Sequence, residues 1–146
     1  MRVFLDTNII LDLLLEREGW ENCARLLQWK EKGVLDICVS VLTMANVAYI
    51  YRKVVGEQVV IPNLKYLSAF FEVLSMDDKQ FQTAILKEGK DFEDILQAVC
   101  AAEGNCAYIV TRNIGDFVIK DAFGQKGTVL PPALTPSMLL KELDAA

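Results

Sequence analysis

Residues 3–8 read Val3-Phe4-Leu5-Asp6-Thr7-Asn8, an apolar run that ends in a carboxylate. The run has the length and composition of a short buried strand, and a second apolar segment, Ile9-Ile10-Leu11, follows it. We therefore place Asp6 at the carboxyl end of the first strand. In open parallel α/β sheets, ligands bind in the crevice beyond the carboxyl ends of the strands. Asp6 is accordingly the first candidate functional residue.

Length and composition indicate one domain over residues 1–146, because 53% of the residues are hydrophobic and can fill a single core. The apolar run from Ile9 to Leu15 is interrupted by Asp12 and is too short to span a bilayer. Asp6 also breaks the start of the chain before a signal peptide could form, so we predict a cytoplasmic protein. The apolar surplus indicates either an oligomer or partner interface or a well-filled core.

The chain has no histidine and no C-x-x-C spacing, which argues against a zinc site or a Cys-His nucleophile pair. We therefore expect buried, reduced thiols at Cys23, Cys38, Cys100 and Cys106. Without histidine, carboxylates must do any acid-base or metal chemistry. The net charge of −5 argues against a sequence-specific DNA binder, but leaves local contact with nucleic acid open.

Short β-type runs alternate with longer helical patterns along the chain. The predicted strands are residues 3–5, 36–39, 73–76, 107–111 and 128–130. The predicted helices are residues 7–16, 20–32, 41–55 after an N-cap at Ser40, one that opens at Pro62, one from a cap at Asp77 to about residue 89, 91–103 and 135–143. This alternation predicts an α/β fold, a three-layer α/β/α sandwich with a central parallel sheet of four to five short strands.

Three carboxylates could meet at one edge of this sheet. Asp6 ends one strand, Asp116 lies in the loop after another, and Asp94 begins the helix that leads into that second strand. Taken singly, Asp94 suits the first turn of a helix capped by Asp91, and Asp116 suits a glycine-containing loop. Together they would repel and raise each other's pKa, which a hard divalent cation such as Mg²⁺ or Mn²⁺ would relieve. The set indicates metal-assisted phosphoryl chemistry.

Three motifs, in this order, resemble the acidic motifs of PIN domains, and together they cover nearly the whole chain. They are Val3-Phe4-Leu5-Asp6-Thr7-Asn8, then Asp91-Phe92-Glu93-Asp94, then Ile109-Val110-Thr111-Arg112-Asn113 with Asp116-Phe117. PIN domains are metal-dependent nucleases, many of them RNA-cutting toxins of bacterial toxin–antitoxin pairs. The resemblance implies a PIN-like fold, an Mg²⁺- or Mn²⁺-dependent ribonuclease, frequent homodimers and a small antitoxin protein as a possible partner.

The resemblance also implies roles for individual residues. The metal ligands would be Asp6, Asp94 and Asp116. The supporting polar groups would be Thr7, Asn8, Asp91, Thr111 and Asn113. Where most PIN nucleases have a metal-binding glutamate, this chain has Asn46. An amide oxygen brings no charge, although it can accept from a metal-bound water; alternatively, Asn46 is a hydrogen-bonded structural residue of its helix.

The resulting hypothesis is hydrolysis of RNA, in which a cation held by Asp6, Asp94 and Asp116 activates water for attack on a phosphodiester. The basic residues that would draw the substrate to this site are Arg52, Lys53, Arg112 and Lys120. The alternative, which suits most of the four, is a solvated surface charge.

Three other functions are compatible with parts of the pattern. A phosphoryl-accepting receiver domain needs a paired acid after the first strand, where this chain has Thr7, and a late lysine, where it has Pro131-Pro132. A phosphatase with an aspartyl nucleophile usually needs a second acid at the position of Asn8. The stronger rival is a catalytically weak PIN-like module that binds RNA or a partner protein, and Asn46 is the reason to consider it.

Overall fold

The computed structural model describes residues 1–122 and 127–145. Its strands are β1 (Arg2–Leu5), β2 (Asp36–Ser40), β3 (Glu72–Leu74), β4 (Lys87–Glu88), β5 (Tyr108–Val110), β6 (Lys120–Asp121) and β7 (Ala133–Leu134). Its α-helices are α1 (Thr7–Leu15), α2 (Trp20–Glu31), α3 (Val41–Val55), α4 (Glu57–Ser68), α5 (Asp78–Ala84), α6 (Phe92–Glu103) and α7 (Pro136–Ala145). A short 3-10 helix covers Ile114–Phe117.

Five of these strands form one parallel sheet in the order β3-β2-β1-β5-β7, with β1 at the centre. Helices cover both faces, so the predicted three-layer α/β/α sandwich is confirmed. Parallel pairing aligns Leu5 of β1 with Val110 of β5 and Phe4 with Cys38 of β2. The carboxyl ends of the three central strands therefore lie at the same edge, and the chain leaves that edge at Asp6.

Alternation along β1 supplies both halves of the core. Val3 and Leu5 belong to the larger cluster, which also takes buried residues from α1, α3 and α7. Phe4 points to the opposite face and packs with Ala98 and Ala101 of α6. The side chains of these three residues are at most 3% exposed. Because both faces are buried, β1 has the continuous apolar sequence expected of a central parallel strand.

The predicted helix caps are confirmed where the chain leaves the sheet. The side chain of Ser40 accepts a hydrogen bond from the backbone N–H of Thr43, and that of Asp77 accepts one from Gln80. Asp91 caps α6 through Glu93 N–H at 2.7 Å. These side chains satisfy N–H groups that a helix start leaves unpaired.

Two predicted helix boundaries are wrong. The fourth helix does not open at Pro62: it begins at Glu57, directly after Gly56, and encloses the proline. Gly56 has a φ of 87°, which lets α3 turn into α4 without a loop. The helix capped by Asp77 ends at Ala84 rather than near residue 89, because Lys87–Glu88 instead pairs antiparallel with Lys120–Asp121.

The predicted edge strand at residues 128–130 is also wrong, because the edge strand is β7, just beyond Pro131-Pro132. Proline lacks an N–H but keeps its carbonyl. The Pro132 carbonyl accepts from Ile109 N–H at 3.0 Å, and the Leu134 carbonyl accepts from Thr111 N–H at 2.9 Å. The two prolines therefore lead into the ladder instead of ending it.

Two further observations concern the chain as a whole. Among residues 1–122 and 127–145, no helix has the length and apolar character needed to cross a membrane. The four cysteines are free thiols and all four are buried, as predicted.

Candidate active site

Asp6 is held between the two central strands. Its backbone N–H donates to the carbonyl of Val110 at 3.0 Å, which continues the β1–β5 ladder by one residue. One carboxylate oxygen accepts from Thr7 N–H at 2.8 Å, and the other accepts from the Thr111 hydroxyl at 3.0 Å. The carboxylate therefore caps α1 and is tied to the residue that follows β5.

Asp116 is oriented by the loop that follows β5. The side-chain amide of Asn113 donates to Asp116 at 3.2 Å, and its carbonyl oxygen accepts from Gly115 N–H. The backbone N–H of Asn113 in turn donates to the Thr111 hydroxyl at 3.2 Å. Thr111 and Asn113 thus connect Asp6 to Asp116.

Asp94 reaches the same region from α6, where it lies in the first turn after the Asp91 cap. The residues around it enclose a cleft of about 330 Å³. Its lining residues are Asp6, Thr7, Asn8, Asn46, Ile50, Glu93, Asp94 and Asp116. The three carboxylates singled out in the sequence therefore face one cleft, beyond the carboxyl ends of the strands.

Burial and mutual repulsion perturb these acids. The pKa of Asp94 is raised from 3.8 to about 7, first by burial and then by the negative charges of Asp6, Asp91 and Asp116. The pKa of Asp6 is also raised, chiefly by burial, although its hydrogen bonds from Thr111 and Thr7 act in the opposite direction. Near neutral pH, Asp94 is therefore poised between its protonated and ionised forms.

The donor atoms of the cleft suit a hard cation, since they are carboxylate, hydroxyl and amide oxygens. Within the described ranges, however, no three acidic or cysteine side chains come close enough together to hold a metal ion as they stand. In the same part of the chain, the Thr7 hydroxyl is buried without a hydrogen-bond partner. The residues therefore fit an oxygen-ligated cation in kind, while the carboxylates surround the cleft and do not converge on one point.

Asn46 contacts Glu93, an acid that the sequence analysis did not assign to the site. Its side-chain amide donates to Glu93 at 2.5 Å, which joins α3 to α6 across the cleft. Glu93 lines the cleft next to Asp94. The signal was present in the motif Asp91-Phe92-Glu93-Asp94, but a glutamate in the first turn of a helix is ordinary in itself. A fourth carboxylate therefore lies beside the position where Asn46 brings no charge.

The four predicted substrate-binding residues are not brought together. Arg52 pairs with Glu57 at 3.2 Å, and both Arg52 and Lys53 lie over the ring of Tyr49. Lys120 is in β6, on the small antiparallel pair. Within the described residues, the cleft lining includes none of these three or Arg112. Arg112 alone is connected to the site, since it lies between Thr111 and Asn113.

Asp12 is a further buried charge that the sequence analysis treated only as a break in an apolar run. It is 2% exposed, and its two carboxylate oxygens face Nε of Arg17 at 2.8 Å and Nε of Arg112 at 3.4 Å. A charged residue at a helical position otherwise occupied by buried leucine and isoleucine was the available signal. Arg112, one of its two partners, could not be identified from the sequence, because it is 100 positions away.

A buried polar cluster joins the end of β2 to α6. The Ser40 hydroxyl bonds to the side-chain carbonyl oxygen of Gln97 at 2.5 Å, and the Gln97 amide donates to the Thr43 hydroxyl at 2.9 Å. Gln97 lies one turn beyond Asp94 on α6. The cluster thereby fixes the helix that carries Asp94 against the sheet edge that carries Asp6.

The fold and this cleft define an α/β/α protein with an acidic site at the carboxyl edge of a parallel sheet. A family described as the PIN domain matches residues 2–115, so the chain belongs to the PIN-domain family. A comparison with curated protein sequences gives no significant match.

The fold is also similar to that of several solved structures. The chain is similar to VapBC2 from Rickettsia felis bound to a promoter DNA fragment, with 16% identity, a TM-score of 0.68, and coverage of 92% of this chain and 98% of that one. It is similar to a Klebsiella pneumoniae toxin–antitoxin complex, with 20% identity, a TM-score of 0.62, and coverage of 92% and 97%. A third is VapC20 from Mycobacterium tuberculosis, a sarcin-ricin loop cleaving toxin, with 13% identity, a TM-score of 0.59, and coverage of 73% and 86%. At these identities the matches establish the fold.

Proposed function

We propose that this protein is a metal-dependent endoribonuclease that hydrolyses RNA phosphodiester bonds in the acidic cleft. The observation that carries the proposal is the arrangement of Asp6, Asp94 and Asp116 around one cleft at the sheet edge. Among the described residues, Lys90, at 3.9 Å from Asp116, is the one cation that pairs with these carboxylates. Clustered, desolvated carboxylates with so little compensating charge are typical of functional sites, because their mutual repulsion destabilises the fold.

Asp6, Asp94 and Asp116 would hold Mg²⁺ or Mn²⁺. When bound, the cation would supply Lewis acidity toward the phosphate and the attacking water. Thr7, Asn8 and Asp91 support the site from the starts of α1 and α6, and Thr111 and Asn113 support it from the loop after β5. Substitution of Thr7, Asn8, Thr111 or Asn113 would displace the carboxylates of the site without removing any of them.

Glu93 would provide the fourth carboxylate of the site, with Asn46 as the residue that positions it. The hydrogen bond from the Asn46 amide holds the Glu93 carboxylate in place at the cleft. On this assignment the loss of the family's usual glutamate at position 46 is offset by an acid from α6. The site would retain enough negative charge for a divalent cation.

We further propose that the enzyme acts in the cytoplasm as the toxin of a toxin–antitoxin pair. The structural relative from Klebsiella pneumoniae is described as a toxin–antitoxin complex, and VapC20 is described as a toxin that cleaves the sarcin-ricin loop. The corresponding partner here would be a small antitoxin protein, and the substrate a structured or single-stranded cellular RNA.

The second candidate function is a catalytically weak PIN-like module that binds RNA or a protein. It is favoured by one observation: Asn46 contributes no charge, and its amide is engaged by Glu93. Cleavage by the purified chain separates the two functions. A module of this kind would bind RNA without any metal-dependent product.

The direct test of the enzyme is single-turnover cleavage of labelled RNA with added Mn²⁺ or Mg²⁺. We expect Asp94→Asn to lower the rate by more than about 100-fold, the upper end of what even outer-shell substitutions cost at metal sites. Asp144→Asn is the matched control, since Asp144 pairs with Arg25 on the surface. Undiminished cleavage by Asp94→Asn would overturn the assignment.

We also propose a homodimer. Several large apolar side chains of α3 and α4 are exposed, including Val54 at 64%, Ile61 at 58% and Tyr66 at 68%. Burial of such a surface in a stable dimer requires at least about 1,000 Å² in total. Sedimentation velocity at micromolar concentration should give a dimer, and Tyr66→Lys should shift it toward monomer. A wild-type protein that sediments only as a monomer would contradict the proposal.

A further inference from the structure

We propose that Arg17 and Arg112, anchored together by the buried carboxylate of Asp12, bind a phosphate group of the RNA strand beside the acidic cleft. This inference rests on the proposed function and extends the prediction made for Arg112. It assigns Arg17 and Asp12 to a substrate-binding site that lies outside the cleft itself.

The first support is a charge imbalance. Three of the five arginines each face a carboxylate of their own, in the pairs Arg2–Glu72, Arg25–Asp144 and Arg52–Glu57. Arg17 and Arg112 instead share the single carboxylate of Asp12. The trio therefore carries a surplus positive charge in a protein whose net charge is −5. A bound anion would neutralise that surplus.

The second support is the geometry of the trio. The Asp12 side chain is 3% exposed, whereas those of Arg17 and Arg112 are 35% and 49% exposed. Each arginine contacts Asp12 through Nε, at 2.8 Å and 3.4 Å. Among the described residues, the Nη nitrogens of Arg112 meet no hydrogen-bond acceptor. Asp12 thus fixes the two guanidinium groups from below and leaves donors accessible from solvent.

The third support is position. Nη2 of Arg17 lies 3.4 Å from both the backbone and the side-chain oxygen of Asn8, and Asn8 lines the cleft. Arg112 directly precedes Asn113, which donates to Asp116. The Arg112 guanidinium shares the Asp12 carboxylate with that of Arg17, so both groups lie beside the rim of the cleft that Asn8 forms. A strand whose scissile phosphate entered the cleft would pass a neighbouring phosphate close to this rim.

The chemistry favours phosphate. A guanidinium group presents a planar fork of donors that matches a phosphate, and two such groups can share one phosphate through several charge-assisted hydrogen bonds. The cleft itself is lined by acids and repels a polyanion. The arginine pair would supply the cationic contact that holds RNA near the cleft, as phosphate contacts do in nucleic-acid recognition generally.

The test is the binding of a short fluorescein-labelled single-stranded RNA, followed by fluorescence anisotropy over a series of salt concentrations. The protein carries Asp94→Asn in all cases, so that cleavage does not interfere. We expect Arg17→Gln and Arg112→Gln each to weaken binding about tenfold, equivalent to about 1.4 kcal/mol. The double variant should reduce the slope of log K against log salt by about 0.7, the value for one phosphate of a single strand.

Arg25→Gln is the matched control, because Arg25 of α2 pairs with a carboxylate of its own, that of Asp144 in α7. Its binding should equal that of the parent protein. Arg17→Lys and Arg112→Lys distinguish a lost phosphate contact from a misfolded protein. They should keep the charge and the salt slope but lose affinity, because lysine lacks the planar fork of donors of a guanidinium group. Unchanged RNA binding by both glutamine variants would overturn the inference.

The outcomes separate this inference from the proposed function. If the wild-type protein cleaves RNA while the glutamine variants bind it normally, the phosphate site is wrong and the enzyme stands. If the glutamine variants lose binding but the wild-type protein cleaves nothing, the phosphate site stands and the enzyme is wrong. Poly-L-glutamate is the competitor for a protein ligand. Displacement of the RNA by poly-L-glutamate as effectively as by unlabelled RNA would overturn the inference in favour of an acidic protein partner.

Discussion

Asp6 and Asp12 are two carboxylates on the same β1–α1 segment, but the charges around them are of opposite sign. Asp12 is 2% exposed and faces two arginines. Asp6 receives hydrogen bonds from Thr7 and Thr111, but burial raises its pKa, and the negative charges of Asp116 and Glu93 raise it further. One buried charge is compensated within the protein. The other is surrounded by charges of its own sign.

The difference separates structural from functional charge. A buried carboxylate is tolerated by a fold when it is paired, because desolvation otherwise costs several kcal/mol. Among the acids that line the cleft, the described residues provide one ion pair, between Lys90 and Asp116 at 3.9 Å. The compensation that Asp6 and Asp94 lack would come from a ligand.

The largest expected effect on folding is the opposite response of the two carboxylates to neutralisation. Asp12→Asn should lower the free energy of unfolding by about 2 kcal/mol, since it removes charge-assisted contacts to two arginines from a buried position. Asp6→Asn should leave the stability of the metal-free protein unchanged or raise it, because it relieves repulsion. Urea unfolding at about pH 8, where carboxyl groups are ordinarily ionised, measures both.

Asp144→Asn again serves as the control, because it removes a carboxylate from a half-exposed pair and should cost less than about 1 kcal/mol. A large loss of stability in Asp6→Asn, equal to that in Asp12→Asn, would mean that Asp6 is a structural residue. The distinction between the two carboxylates would then fail, and with it the reason to assign Asp6 to a ligand.

Much of the fold followed from local patterns. The apolar run before Asp6 predicted a buried central strand, and the side chains of Ser40 and Asp77 predicted helix starts that the structure confirms. Such features depend on neighbours within four residues. Three of the four carboxylates that line the cleft, Asp6, Asp94 and Asp116, were also accessible to sequence reasoning, since each lies where a strand or helix meets a loop.

The parts that sequence reasoning missed depend on contacts between distant elements. Asn46 and Glu93 are 47 positions apart, and their hydrogen bond requires α3 and α6 to face each other. The pairing of Arg112 with Asp12 likewise requires the loop after β5 to lie beside α1. The two-residue strand β7 was misplaced because proline normally ends a ladder, whereas here a proline carbonyl accepts from β5.

The last and smallest effect is a pH dependence of stability that originates at Asp94. The pKa of this group is about 7 in the folded protein and 3.8 for the ordinary carboxyl. A raised folded-state pKa contributes stability that is fully present below the unfolded pKa and is lost as pH rises through the folded one. The contribution of Asp94 to the stability of the chelator-treated protein should therefore fall steadily between about pH 4 and pH 7.

Asp94→Asn should flatten that part of the stability profile. Added Mn²⁺ should raise wild-type stability most at the alkaline end, where Asp94 is ionised. Chemical unfolding across this range, with and without Mn²⁺, measures the effect, which partial exposure of Asp94 keeps below that of Asp12→Asn. Identical profiles for the wild-type protein and Asp94→Asn would mean that Asp94 carries no unrelieved charge, and that its carboxylate, like that of Asp12, is compensated within the protein.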